Sequence, residues 1–244
     1  MMAIKTIDLE KRYKEKVAVK KLNLSIKQGE LFSLLGTNGA GKTTTIKMLS
    51  CLSKPTRGEA ILLGDSIVKN SLAVKEKIGV SPQETAVAPN LTVKENLQLI
   101  AELYGDNKKE AVKRANEMIE SFGLTEVAKS RAKTLSGGWQ RRLSIAMALI
   151  SNPQILFLDE PTLGLDVIAR RELWTIVKKL KGKITIILTT HYLEEAEALS
   201  DRIGIMSKGE LKAVGTVRAL MAGASAQNFE DAFITLATDG GGSR

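Results

Sequence analysis

Gly36-Thr37-Asn38-Gly39-Ala40-Gly41-Lys42-Thr43 is the stretch on which the reading of this chain turns. It follows the short apolar run Leu31-Phe32-Ser33-Leu34-Leu35, which suits a buried strand. A helical pattern follows it from Lys42 to about Leu52, and Pro55 with Gly58 is expected to end that helix. Strand, glycine-rich loop and helix with the spacing G-x-x-x-x-G-K-[ST] form a cradle for phosphate. The glycines let the backbone curl until several N–H groups point inward. The helix beginning at the same point adds the positive end of its dipole. Lys42 is then expected to reach the outer phosphates of a nucleotide, and the Thr43 hydroxyl to take one position on Mg2+.

Further along, the apolar strand Ile155-Leu156-Phe157-Leu158 ends in Asp159-Glu160. Open α/β sheets hold their ligands at the carboxyl ends of parallel strands. Asp159 at that edge can hold Mg2+, directly or through water, and Glu160 can polarise an attacking water as general base. His191 is the only histidine. A lone histidine is most often structural. This one, however, follows a third apolar run, Ile184–Leu188, through Thr189-Thr190, which places it at the edge shared by Lys42 and Asp159. There it can hydrogen-bond the terminal phosphate or the attacking water.

Around these strands the pattern divides. In residues 1–35, Val17, Val19, Leu22, Leu24 and Ile26 alternate with polar neighbours as a half-buried antiparallel strand does. The middle is helical. Thr92 with Glu95 reads as a capping box ahead of Val93, Leu97, Ile100 and Tyr104 on one face, and Gly105 is a stop. A second helix is expected over about 108–122, with Ala115, Met118, Ile119 and Phe122 inward. A third is expected from about Trp139 to Ile150. From 154 strands and helices alternate again, with helices near 167–180 and 192–200 and a hairpin around Lys208-Gly209. Gly240–Arg244 reads as a flexible linker or cloning scar.

Composition narrows the class. The 244 residues are 43% hydrophobic and 26% charged, ordinary for a globular protein, so disorder, collagen and a coiled-coil rod are excluded. A single Cys excludes an internal disulfide framework and fits a reducing compartment. No run approaches the roughly 18–20 apolar residues of a membrane span. The N-terminus lacks a signal peptide's apolar core, so an intracellular protein that does not itself span a membrane is expected. The net charge of +9 suits nucleic acid, an anionic membrane surface, an anionic ligand or an ordinary solvated basic face. Aromatics at 4% are too sparse for a stacking platform on single strands.

The glycine loop, Gln83 in Ser81-Pro82-Gln83-Glu84, Leu135-Ser136-Gly137-Gly138, Asp159-Glu160, Asp166 and His191 follow one another in the order and spacing of an ABC transporter nucleotide-binding subunit. The resemblance covers about residues 3–220, and the Leu-Ser-Gly-Gly signature is its most specific part. It implies an α/β fold: a P-loop NTPase (RecA-like) core with an antiparallel β subdomain and an inserted α-helical subdomain. Residues 1–87 and 151–215 would form the core and β subdomain, 88–150 the helical signature subdomain, and 216–244 a C-terminal helical tail, all within one nucleotide-binding domain. ATP and Mg2+ are the implied cofactors.

The resemblance also implies roles. Tyr13 would stack on adenine, and Gly36, Thr37, Asn38, Gly39, Ala40, Gly41, Lys42, Thr43 and Thr44 would wrap the phosphates. Thr43, Gln83 and Asp159 would hold Mg2+, with Gln83 also near the attacking water and opening the segment that meets a membrane partner. Ser136, Gly137 and Gly138 open a helix and so suit a phosphate; the resemblance assigns them the ATP on a second subunit. Asp166 would connect the two sites across a dimer, Glu160 would be the catalytic base and His191 the switch histidine. Trp139, with Gln140 after it, departs from the frequent glutamine at the signature's fifth position, and Thr37 replaces a frequent proline.

Glu160-Pro161-Thr162-Leu163-Gly164-Leu165-Asp166, His191-Tyr192-Leu193-Glu194-Glu195-Ala196-Glu197 and Phe229–Ile234 further resemble exporters of the drug, polysaccharide and antibiotic-resistance type. In these, the ATPase is a separate chain beside a multi-span permease. The expected protein is a peripheral ATPase on the cytoplasmic face of the cell membrane, forming a homodimer (or a dimer with a related subunit) when ATP-bound, with no nucleic-acid partner. The alternative is a soluble ABC ATPase acting on ribosomes or nucleic acid, which the basic charge keeps open. A GTPase or small-molecule kinase is disfavoured by the signature and by the lack of an Asn-Lys-x-Asp run.

Overall fold

The computed structural model describes residues 1–238; Gly240–Arg244 lies outside the described residues. The strands are β1 (Met2–Tyr13), β2 (Lys16–Leu22), β3 (Ser25–Lys27), β4 (Leu31–Leu35), β5 (Arg57–Leu62), β6 (Asp65–Ser66), β7 (Ile78–Ser81), β8 (Ile155–Asp159), β9 (Thr185–Thr190), β10 (Arg202–Ser207) and β11 (Glu210–Gly215). One sheet has the order β11-β10-β4-β9-β8-β7, parallel except for β11 at its edge. The other is antiparallel, with β1 pairing β2, β3 and β5, and β5 pairing β6.

The helices are α1 (Lys42–Leu49), α2 (Ser71–Lys75), α3 (Val93–Leu103), α4 (Lys108–Ser121), α5 (Gly137–Leu149), α6 (Val167–Leu180), α7 (Leu193–Leu199), α8 (Val217–Gly223) and α9 (Phe229–Ala237). Three of them, α3 to α5, fall between β7 and β8 with no strand among them. The α/β fold with a phosphate loop at its centre is therefore as expected. The mixed sheet is covered on both faces, which is why β8 reads as an unbroken apolar run. Its Leu156 and Leu158 pack with Leu97, Leu143 and Leu173 on one side. Ile155 and Phe157 pack with Ile46, Met48 and Leu62 on the other.

Several local expectations shift. The helix after the phosphate loop ends at Leu49, well before Pro55. Cys51 takes a left-handed φ of 58° there, doing at the C-terminus what glycine usually does. The expected alternation of Val17 to Ile26 breaks into β2 and β3 at Asn23-Leu24, because the buried Thr6 hydroxyl donates to Leu22 O and accepts from Leu24 N, both at 2.8 Å. The third middle helix begins at Gly137, two residues before Trp139, with Ser136 as its N-cap.

The capping box at Thr92 and Glu95 is present. A second one, Asn107 with Glu110, opens α4. On α3 the buried stripe is Val93, Leu97 and Ala101, so Tyr104 caps the helix in an exposed position.

Candidate active site

The phosphate loop has little room for other residues. A Cβ at Gly36 would lie 2.3 Å from Met206 O. Gly41 has φ 106° and its Cβ would come 2.6 Å from Ala18 O. Both positions therefore admit glycine alone, the second for its left-handed backbone as well as for space. Gly41 precedes Lys42, the first residue of α1, so the helix N-terminus opens onto the loop.

Six side chains converge there from α1 and from the carboxyl ends of β8 and β9. Lys42 Nζ donates to Gly36 O at 2.7 Å and to Thr37 O at 3.3 Å, and lies 3.0 Å from Glu160 Oε1. Glu160 Oε2 stands 2.8 Å from His191 Nδ1. A carboxylate only accepts, so Nδ1 carries the proton and donates it. Thr43 donates to Asp159 Oδ1 at 3.0 Å, and Thr189 donates to the same oxygen at 2.5 Å. The Thr189 hydroxyl also accepts from Glu160 N at 3.0 Å. The chain turns at Glu160 with φ 47°, a backbone conformation costing a non-glycine residue roughly 1–3 kcal/mol. That turn carries the Glu160 side chain off the strand and toward Lys42 and His191.

Lys42, Thr43, Glu160 and His191 line a cavity of about 480 Å3 that also includes Tyr13, Asn38, Gly39, Ala40, Thr44, Gln83 and Leu163, and Asp159 is tied to it through Thr43. Tyr13 is half exposed on its wall, with Lys11 Nζ 5.0 Å from the ring centroid. All the residues predicted to serve one nucleotide, apart from the signature and Asp166, are thus gathered in one place.

The signature opens elsewhere. Ser136, Gly138 and Trp139 line a separate cavity with Gly123, Thr125, Arg142, Ala169 and Glu172. Ser136 makes no side-chain cap bond, so the first N–H groups of α5 have no capping side chain at this end of the helix. Gly138 packs closely on α6, where an added Cβ would lie 3.2 Å from Ala169 Cβ, while one at Gly137 would meet Leu165 Cδ2, in the turn before α6, at an ordinary 3.7 Å. Trp139 packs beneath the Arg142 guanidinium at 4.8 Å, and Arg142 pairs with Glu172. Gln140 turns back, donating to Ala132 O and Leu135 O, each at 3.2 Å. Asp166 is the N-cap of α6, its Oδ1 accepting from Ile168 N at 2.9 Å and Ala169 N at 3.0 Å.

Arg141, Thr189 and Glu195 escaped the sequence reading. Arg141 on α5 donates to Pro82 O at 2.7 Å and Gln83 O at 2.5 Å, fixing the backbone that carries Gln83. Burial pulls its guanidinium below the ordinary value, while the charges of Asp159 and Glu195 hold it up. The signal for Arg141 was faint: one of two adjacent arginines on an otherwise apolar helix. Thr189 carried none beyond its place at a strand end, and Glu195 sits in an ordinary acidic run.

The donor set fits Mg2+. Thr43 and Asp159 offer hard oxygens side by side, with Gln83 on the same cavity wall. No cluster of three His, Cys, Asp or Glu side chains suited to a metal occurs among the described residues. An ion that keeps several waters and binds substrate phosphates needs only one or two protein oxygens.

Comparison with known proteins agrees with this geometry. A family described as ABC transporter matches residues 19–163. The chain is similar to the linearmycin resistance ATP-binding protein LnrL of Bacillus subtilis (strain 168), 46% identical over 210 residues that cover 86% of this chain and 68% of that one. It is similar to the doxorubicin resistance ATP-binding protein DrrA of Mycobacterium tuberculosis, 44% identical over 84% of this chain and 62% of that one. Against the human phospholipid-transporting ATPase ABCA3 the identity is 43% over 83% of this chain, yet the chain spans only 12% of that protein. Among solved structures, a dimeric ATP-binding cassette in a post-hydrolysis state with ADP and phosphate has a TM-score of 0.80 at 32% identity, covering 87% of this chain and 98% of that one. An ATP-binding subunit of an ABC transporter has a TM-score of 0.85 at 28% identity, covering 96% and 99%.

Proposed function

The chain belongs to the ABC transporter family, and from that premise we propose that it powers export of a substrate through a separate membrane permease by ATP-driven pairing of two cassettes. The protein is an ABC ATPase of the resistance and export type. The proposal concerns its partners, its subtype's cargo direction and the role of each side chain.

The observation that carries it is the split just described. Lys42, Thr43, Glu160 and His191 line one cavity, with Asp159 bonded to Thr43 beside it, while Ser136 and Gly138 line another. A single chain thus offers two half-sites, and head-to-tail pairing brings the signature of one copy to the phosphate loop of the other. Exposed Leu163, Val167 and Ile168 beside Asp166 give that pairing an apolar face.

In the paired site Lys42 and the loop N–H groups bind the phosphates. Thr43, Asp159 and Gln83 would hold Mg2+, which would supply charge neutralisation at the phosphoryl oxygens. Glu160 takes the proton of the attacking water, and His191 Nδ1–H orients the Glu160 carboxylate. Tyr13 offers its ring to the base. The division into a core (1–87 and 151–215), a helical part (88–150) and a C-terminal tail from 216 is part of the same reading.

A second surface supports a permease partner. A groove of about 390 Å3 is lined by Leu52, Val80, Pro82, Ala86, Ile100, Tyr104 and Met147, next to the Gln83 backbone that Arg141 grips. Exposed Leu52, Leu72, Leu103 and Tyr104 add apolar surface in these segments. No described helix is long and apolar enough to cross a membrane; in the proposed arrangement the transport pathway belongs to the permease. The surplus of basic charge suits the anionic cytoplasmic leaflet, where the protein would sit peripherally.

The test is purification from native membranes in mild detergent. A multi-span membrane protein recovered in about equal amount is expected. Recovery with ribosomes or nucleic acid and no membrane protein would overturn the permease reading and restore the soluble alternative.

A further inference from the structure

Glu195 lies on α7 and is completely buried. The Trp174 indole N–H donates to its Oε1 at 3.0 Å. The hydroxyls of Thr190 and Thr162 stand close enough to stabilise charge on the carboxyl, yet Oε2 and Thr162 Oγ1 are sealed from solvent outside hydrogen-bond geometry. No Lys, Arg or His among the described residues forms an ion pair with it; Arg141 acts on it only at longer range. A core selected for stability alone does better with an apolar side chain at such a position. Two of the four buried polar atoms without a partner among the described residues belong to this cluster, and such groups call for an explanation.

The explanation is in what the carboxyl touches. Thr162 stands two residues past Glu160, in a turn where Leu163 N donates to Glu160 O at 3.2 Å and Leu165 N to Thr162 O at 3.1 Å. That turn leads to Asp166, the cap of α6, and α6 carries Trp174. Thr190 immediately precedes His191, and its hydroxyl accepts from Tyr192 N at 3.0 Å. The two strand ends that present Glu160 and His191 therefore meet a second time, behind the site, at one carboxyl. The ring closes through the 2.8 Å contact between Glu160 and His191 themselves.

We propose that Glu195 is a positioning residue of the hydrolytic site, holding Thr162, Trp174 and Thr190 together so that Glu160 and His191 keep their contact. The inference rests on the reading of Glu160 and His191 as the hydrolytic pair. Burial pushes the Glu195 carboxyl up, with the Glu160 charge acting the same way, against the pull of the Thr190, Trp174 and Thr162 donors. Glutamine keeps the shape and an oxygen that can accept from the Trp174 indole, so Glu195→Gln preserves the arrangement and Glu195→Ala deletes it.

The test uses the full chain and reads kcat and KM for ATP together with thermal melting. Glu195→Ala is expected to lower kcat about tenfold to a hundredfold, the scale of a displaced catalytic group, with KM changed less than about threefold. Glu195→Gln is expected to stay within about threefold of the parent in both constants. Trp174→Phe keeps the ring, removes only the indole donor, and is expected to lower kcat about threefold to tenfold. Combined with His191→Ala, it should add nothing further, because both act on one contact.

Wild-type kcat in Glu195→Ala, or equal loss in the Gln and Ala variants alongside a matching drop in melting temperature, overturns the proposal. If Glu195→Ala does not fold, unchanged kcat in Trp174→Phe, or full additivity with His191→Ala, overturns it instead. Glu160→Gln runs as the control. Normal hydrolysis in that variant would remove the catalytic pair itself, whereas lost hydrolysis there with normal Glu195→Ala would remove this inference alone.

Discussion

The phosphate-loop edge and the signature end of α5 are both helix N-termini with the dipole sign that suits an anion, yet they are finished to different degrees. At the loop edge the central side chains are paired within the chain: Lys42 with Gly36 O and Glu160, Glu160 with His191, Asp159 with Thr43 and Thr189. At the signature end the helix starts on Ser136 without a side-chain cap and on two glycines packed against Leu165 and Ala169. A helix N-terminus left with free N–H groups and a positive dipole end is suited to an acceptor from outside. One region is organised to do chemistry, and the other to receive a group brought to it.

Glu160→Gln probes the finished region with the largest effect. Replacing a general base costs about 10²–10⁴-fold in rate. The expected outcome is near-complete loss of ATP hydrolysis with nucleotide binding kept, read by phosphate release and by equilibrium binding. A wild-type rate would reduce the Lys42–Glu160–His191 chain to a structural feature and leave the two regions chemically alike.

Lys42→Ala and Ser136→Ala sharpen the contrast at smaller magnitude. Losing a charge-assisted contact is worth about 1.5–3 kcal/mol, so the Lys42 variant should bind ATP about 10–150-fold more weakly. Ser136→Ala should leave ATP affinity of the unpaired chain within about twofold and weaken ATP-driven self-association about fivefold, the worth of one neutral hydrogen bond. Sedimentation with and without ATP separates the two readouts. Equal loss of ATP affinity in both variants at a dilution where the chain is single would place both regions at one nucleotide and end the head-to-tail scheme.

The same contrast governs what could be read from sequence. The phosphate loop, Asp159-Glu160 and the Thr92 cap are short-range patterns, each fixed by backbone chemistry within a few residues. They appear where they were expected. His191 was placed correctly because strand ends of a parallel sheet share one edge, a topological rule. Arg141, Thr189 and Glu195 depend on which side chain packing selects, and no local pattern states that. Glu195 is flanked by Glu194 and Glu197 in a run that looks like a solvated helix face. It is the approach of Trp174, 21 residues earlier on α6, that picks it out. Strands β5 and β7 went unread because Gly58 and Gly79 interrupt them and their partners β1 and β8 lie far off in sequence, and β6, paired to β5 through a tight turn, is only two residues long.

Asp166 stands between the two regions, and replacing it gives the smallest effect expected here. Its carboxylate caps α6 through Ile168 N and Ala169 N, and α6 supports Gly138 through Ala169 on one side and Glu195 through Trp174 on the other. Removing an N-cap costs about 1 kcal/mol, which lowers the melting temperature of a domain this size by about 2–4 °C. If capping is all that Asp166 does, Asp166→Ala should melt earlier by that amount, and Asp166→Asn, also a good cap, should melt normally. ATP-driven self-association should then be intact in the Asn variant. Loss of self-association in Asp166→Asn, with melting unchanged, would mean that the carboxylate's charge acts across the pair. The exposure of Val167 and Ile168 beside it favours that second result, since a capping residue flanked by bare apolar side chains lies on a surface that gains from being covered.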